Sequence, residues 1–157
     1  MTKVAVIGIG QSLRGDDAAG LEAVRQWREK FPETAGRPEV QIEACELPGL
    51  ALLDTLNEVD AAILVDAVQS SDQAGTIYRL DHNQLASFTS TSKSGHGWGV
   101  AETLQLGSQF MTRQTKIRII GINSAQTELG AGLSDAVKEA LPKVCETLEE
   151  EINKFIQ

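Results

Sequence analysis

Apolar positions along this chain fall into short blocks whose period alternates between two and about 3.6 residues. Residues 3–9 (KVAVIGI) form a β-branched run that stops at glycine, the pattern of a buried strand. A helix is predicted next, with Asp16 or Asp17 as its cap and Leu21, Val24 and Trp27 on one face, ending by Lys30 before Pro32. Residues 31–38 read as loop. Residues 40–47 (VQIEACEL) alternate apolar and polar and predict a second strand, broken by Pro48-Gly49. A short helix over 50–56 leads to residues 61–68 (AAILVDAV), the most apolar strand and the expected centre of the sheet. Gly75 turns the chain into a short strand, 76–80, followed by a Ser- and Thr-rich stretch, 84–93, and a glycine-dense loop, 94–99 (SGHGWG). A helix over 100–111, a fifth strand over 116–122 and a long amphipathic helix over 133–155 complete the pattern. Ser134 opens that last helix and Pro142 is its one interruption.

Five strands alternating with helices predict an α/β fold: a sheet with helices on both faces, whose sites form at the carboxyl ends of the strands. At 157 residues the chain reads as a single domain, 1–157, long enough to bury a core without staples. A net charge of −8 argues against nucleic acid and against an anionic membrane surface. Two cysteines make no disulfide framework, and no apolar run reaches the roughly 18–20 residues of a membrane span. The N-terminal apolar stretch, soon followed by charge, does not read as a signal peptide. The expected location is the cytoplasm.

The turn GIGQSLRGDD, residues 8–17, has the strand–glycine–helix order of a phosphate site but not its residues. A dinucleotide motif needs a third glycine where Leu13 stands. A P-loop needs Lys-Thr where Asp16-Asp17 stand. A phosphate there would meet two carboxylates, so the turn suits a metal or another electropositive group; the same aspartates also suit ordinary helix caps. Asp66 is the one charge in the central strand, near its carboxyl end, and burial there is costly without a partner. His96 lies among glycines in a loop that follows a strand, and imidazole is a ligand for nickel, zinc and iron. Asp17, Asp66 and His96 thus suit one cleft holding two carboxylates and an imidazole. His82 has no comparable setting. Ser94 has no evident base, and Cys45 and Cys145 sit in apolar patterns, so no activated nucleophile stands out. Trp98 reads as packing, and Glu43 and Glu46 as a solvated face.

In these stretches the chain resembles the hydrogenase maturation proteases, which remove a C-terminal extension from the large subunit of nickel–iron hydrogenases. The resemblance is carried by G-I-G-x-x-L-x-x-D-D-x-x-G (8–20), L-V-D-A-V (64–68), Ser94, His96 and Leu104, and G-I-N followed by G-x-x-L-S-x-x-V and A-L-P (121–142). It implies a three-layer α/β/α sandwich with a five-stranded, mostly parallel mixed sheet and one short antiparallel edge strand, 76–80. It implies metal-binding positions at Asp17, Asp66 and His96, Asp17 or Asp66 as the catalytic base, and an aspartic-type endopeptidase. The expected partner is the large-subunit precursor, with nickel carried by that substrate and no permanent cofactor. A non-proteolytic nickel-sensing chaperone is the alternative. Relatives commonly have Glu-Pro where this chain has Asn123-Ser124, and Asn where it has Gln11; both departures bear on substrate choice.

Overall fold

The computed structural model describes residues 2–85, 87–90 and 99–156. Strand β1, Val4–Ile9, is fully buried, as its unbroken apolar run requires. A 3₁₀ turn, Gly15–Ala18, separates it from helix α1, Ala19–Lys30. The short α2, Pro32–Ala35, takes Pro32 in its first turn, where a missing N–H costs nothing. Then follow β2, Val40–Cys45, α3, Leu50–Leu56, and β3, Ala61–Gln69. After β4, Ile77–Leu80, come a single turn α4, His82–Leu85, and the two-residue β5, Thr89–Ser90. Helix α5, Val100–Phe110, strand β6, Lys116–Asn123, and helix α6, Asp135–Ile156, end the chain. Among these residues no helix is long and apolar enough to cross a membrane.

The sheet order is β2-β1-β3-β6-β4. The first four strands are parallel neighbours, with Val4 opposite Val40 and Ala61, and Asp66 opposite Gly121. β4 runs antiparallel to β6 at the edge, as the 76–80 expectation has it, and β5 adds two antiparallel residues to the end of β3. The period of two on β3 sends Ala61, Ile63, Val65 and Ala67 to the α1/α6 face, where Trp27, Leu141, Leu148 and Ile152 pack. Ala62, Leu64 and Val68 go to the other face, against Leu52, Leu53 and Leu56 of α3 and Val100 and Leu104 of α5. Burial of both faces explains why β3 reads as a continuous apolar run. The three-layer α/β/α sandwich is therefore observed.

Four local expectations change. Residues 31–38 are not all loop, since Pro32–Ala35 forms α2. Neither Asp16 nor Asp17 caps α1: the cap position is Ala18, with no side-chain bond, and both aspartates lie inside the 3₁₀ turn. β2 stops at Cys45, whose carbonyl accepts from Gly10 N at 3.1 Å, so residues 46–47 leave the sheet. α6 runs through Pro142 unbroken.

Candidate active site

The glycines of the first turn act by letting backbones touch. A Cβ on Gly20 would lie 2.1 Å from the Val65 carbonyl oxygen and 2.4 Å from that of Ile9. The first turn of α1 is thus pressed onto the carboxyl ends of β1 and β3. Gly10, at φ +153°, leaves no room for a side chain either: its Cβ would meet the Asp17 carbonyl oxygen at 1.9 Å. This packing puts Asp17 in the turn directly above the ends of the two central strands. Asp66 follows Val65, the residue that Gly20 touches.

Asp17 is 1 % exposed and Asp66 is fully buried. Asp66 falls in the register of Ala62, Leu64 and Val68, so it belongs to the face covered by α3 and α5. Cys45 packs on the same face, and its thiol reports the local field. Burial pushes its pKa above the usual thiol value, and the negative charges of Asp66 and Glu43 push it further the same way. Thiol chemistry at neutral pH is disfavoured there. Cys145 is buried against the Ala23 carbonyl, in agreement with a core role.

Asp16 has a different task from its neighbour. Its carboxylate accepts from Ala125 N (2.7 Å), Gln126 N (3.1 Å), Ser134 N (2.7 Å) and Ser134 Oγ (2.8 Å). Its own N–H donates to the Gln126 carbonyl at 2.6 Å, and Gly15 N donates to Ala131 O at 3.0 Å. The acid therefore clamps the β1–α1 turn to the loop between β6 and α6, and its lone pairs are committed to that loop. The two adjacent carboxylates therefore differ in setting, and Asp16 is the one that holds the two loops together.

Two more residues fasten the same edge, and sequence reasoning gave them no such role. Glu46 Oε1 accepts from Ser12 N at 3.0 Å and Ser12 Oγ at 3.1 Å, tying the β2–α3 loop to the glycine turn. Asn123 is buried and pins the β3–β4 loop. Its Nδ2 donates to the Asp72 and Gln73 carbonyls (2.6 and 3.1 Å), and its Oδ1 accepts from Ser70 N at 2.9 Å.

His96, the third predicted ligand, lies outside the described residues, as do Ser94 and Trp98. Among the described residues no group of three or more His, Cys, Asp and Glu side chains is placed to hold a metal ion. His82 is exposed on α4.

A sequence model of the hydrogenase maturation protease family matches residues 38–151. A hydrogenase expression/formation protein, HupD, of Thiocapsa roseopersicina is 24 % identical over 155 residues, covering 98 % of this chain and 69 % of its own. Among solved structures, the hydrogenase-maturating endopeptidase HybD of E. coli superposes with a TM-score of 0.77 at 21 % identity, over 97 % of this chain and 93 % of the other. The nickel–iron hydrogenase maturation protease HybD of Thermococcus kodakarensis gives a TM-score of 0.71 at 25 % identity, over 94 % and 97 %. The E. coli likeness is one of fold.

Proposed function

The chain belongs to the hydrogenase maturation protease family, and on that premise we propose that it is an endopeptidase acting on a nickel–iron hydrogenase large-subunit precursor. It removes the C-terminal extension once nickel is in place. Nickel belongs to the substrate, and the chain keeps no cofactor of its own. The observation that supports this reading most is the pair of buried carboxylates, Asp17 and Asp66, delivered by adjoining backbones to the carboxyl edge of a parallel sheet. Carboxylate oxygens there suit a divalent cation presented by a docked protein, and His96 is assigned the third donor position. An empty precursor offers no cation, so recognition fails before any bond is cut.

Cleavage is assigned to water, with Asp17 or Asp66 as general base, which makes the peptidase carboxylate-dependent. Substrate nickel supplies Lewis acidity toward the scissile carbonyl. The Cys45 thiol, held protonated by its surroundings, is a poor nucleophile and fits that assignment. A cytoplasmic location goes with this partner, whose metal is inserted before processing.

The test is to incubate the protein with nickel-loaded and nickel-free large-subunit precursor and weigh the products by mass spectrometry. Loss of a C-terminal peptide from the loaded form alone is expected, and Asp17→Asn, Asp66→Asn and His96→Ala should each abolish it while remaining folded. Full processing by an Asp17→Ala, His96→Ala double variant would overturn the assignment. Nickel-dependent binding with no mass change, for a precursor that an active relative cuts, would replace the peptidase by a nickel-sensing chaperone.

A further inference from the structure

Four of the five large apolar side chains that the described residues leave exposed are leucines beside the candidate site, Leu13, Leu47 and Leu129 on loops and Leu50 at the start of α3, each 61–72 % exposed. Single exposed leucines are ordinary; this set is grouped. Leu13 is four residues from Asp17 in the same turn. Gly130 N donates to Leu13 O at 2.8 Å, which places Leu129 beside it. The Ser12–Glu46 bonds bring Leu47 to the other side of that turn. Leu47 and Leu50 stand past the end of β2, and Leu47 joins Ile7, Glu43, Cys45, Glu46 and Leu52 in lining a cavity of about 240 Å³. The fifth side chain, Phe110, is elsewhere. It closes α5 near Arg113, which bonds Asn57 and Asp60 just before β3 begins, at the opposite edge of the sheet.

Among the described residues, charge on the leucine-bearing edge is mostly acidic. Arg14 is the one cation in residues 10–16, 46–49 and 124–134, against Asp16, Glu46 and Glu128, with Glu43 in the cavity wall. An acidic apolar partner would gain contacts but meet like charge, a neutral one would gain contacts alone, and a basic one gains contacts and favourable charge.

We propose that this leucine edge is the docking surface for the polypeptide being processed, and that the docked segment presents apolar side chains flanked by Lys or Arg. The inference rests on the peptidase reading for the identity of the partner, and its continuity with Asp17 is what commits the surface to that partner. A chain entering the site crosses Leu13 and Leu129 on one side and Leu47 and Leu50 on the other. The leucines act in binding, so their loss is read in affinity and KM rather than in kcat.

The test uses nickel-loaded large-subunit precursor and measures binding and cleavage separately. Leu13→Ser, Leu47→Ser and Leu129→Ser should each raise Kd and KM several-fold, and the triple variant more than about tenfold, with kcat unchanged. Phe110→Ser, equally exposed, should match the wild type. Binding should weaken as salt rises from low to high ionic strength. Wild-type KM in the triple variant overturns the docking surface, and affinity indifferent to salt overturns its basic partner. If the wild type binds but does not cut, the peptidase reading falls and the surface is judged on Kd alone. If the wild type neither binds nor cuts, both fall.

Discussion

Ser134 Oγ donates to Asp16 Oδ2 at 2.8 Å across 118 positions of sequence. Ser134 N donates to the other oxygen of the same carboxylate, so the start of α6 is held by the turn that precedes α1. Asp16→Ala would leave four donors of part-buried bonds without their acceptor. Hydrogen bonds to charged groups are worth about 1.5–3 kcal/mol each, and they are not additive, so a loss of at least about 3 kcal/mol is expected. Ser134→Ala keeps the backbone bond and should cost about 1–2 kcal/mol. Urea unfolding monitored by circular dichroism measures both. A change below about 0.5 kcal/mol in Asp16→Ala would show that the carboxylate does not hold these loops together.

This clamp marks where sequence reading stops. The sheet was legible because β1 and β3 are buried on both faces and so read as continuous apolar runs, and because Asp66 interrupts the second of them. Asp16 and Asp17 could not be told apart, since adjacent aspartates at a helix start have the same local pattern. What separates them is a set of donors 109 to 118 positions away. Glu46 is exposed, as the solvated-face reading has it, but its bonds to Ser12, on another loop, have no local signal. Ser134 was legible as a helix opener, and its hydroxyl does lie 3.4 Å from Val137 N, but nothing local announces its bond to Asp16. The fold and one carboxylate position follow from hydrophobic pattern; the division of labour within the DD pair follows from tertiary contacts.

The second prediction concerns backbone packing. Gly20→Ala places a methyl group within 2.4 Å of two carbonyl oxygens, on β1 and β3, and neither is the movable end of a side chain. The helix must retreat from the sheet, opening the contact that seats the 3₁₀ turn. Overpacking typically costs about 1–3 kcal/mol, and a clash with two backbones belongs at or above the upper end. Gly132→Ala is the control, because nothing lies within 4 Å of its Cβ position. Thermal unfolding should show a fall of about 6 °C or more for the first, at some 2–4 °C per kcal/mol for a chain of this size, and little change for the second. A Gly20→Ala protein as stable as the wild type would mean that this close approach is not obligatory.

Acid should remove a separate contribution at the far edge of the sheet. Asp60 accepts from Lys3 N at 2.8 Å and pairs with Arg113. The Lys3 amide, and then the Arg113 guanidinium, hold its pKa below the ordinary 3.8. A depressed folded pKa means that the stabilisation is fully present above the unfolded value and fades as pH falls through the folded one. Wild type should therefore be more stable than Asp60→Asn at pH 5–7, with the gap closing below about 3.8. The pair is exposed, so the gap should also shrink in high salt. Melting temperatures of the two proteins across pH 2.5–7 decide it; a gap that widens on acidification would contradict the assignment.

The last prediction uses Cys45 as a reporter of Asp66. Burial is the larger cause of the raised thiol pKa, and the Asp66 charge adds to it. At pH 8 the wild-type thiol should be alkylated by iodoacetamide more slowly than an exposed cysteine, because less of it is thiolate. Asp66→Asn keeps the side-chain shape and removes the charge, so the Cys45 pKa should fall part of the way and the rate should rise. Burial persists in the variant, which keeps it slower than an unfolded control. Peptide mapping separates Cys45 from the buried Cys145. An unchanged rate in Asp66→Asn would mean that Asp66 carries no charge near Cys45 at this pH. The proposed role of Asp66 as a cation ligand would then lose its electrostatic support.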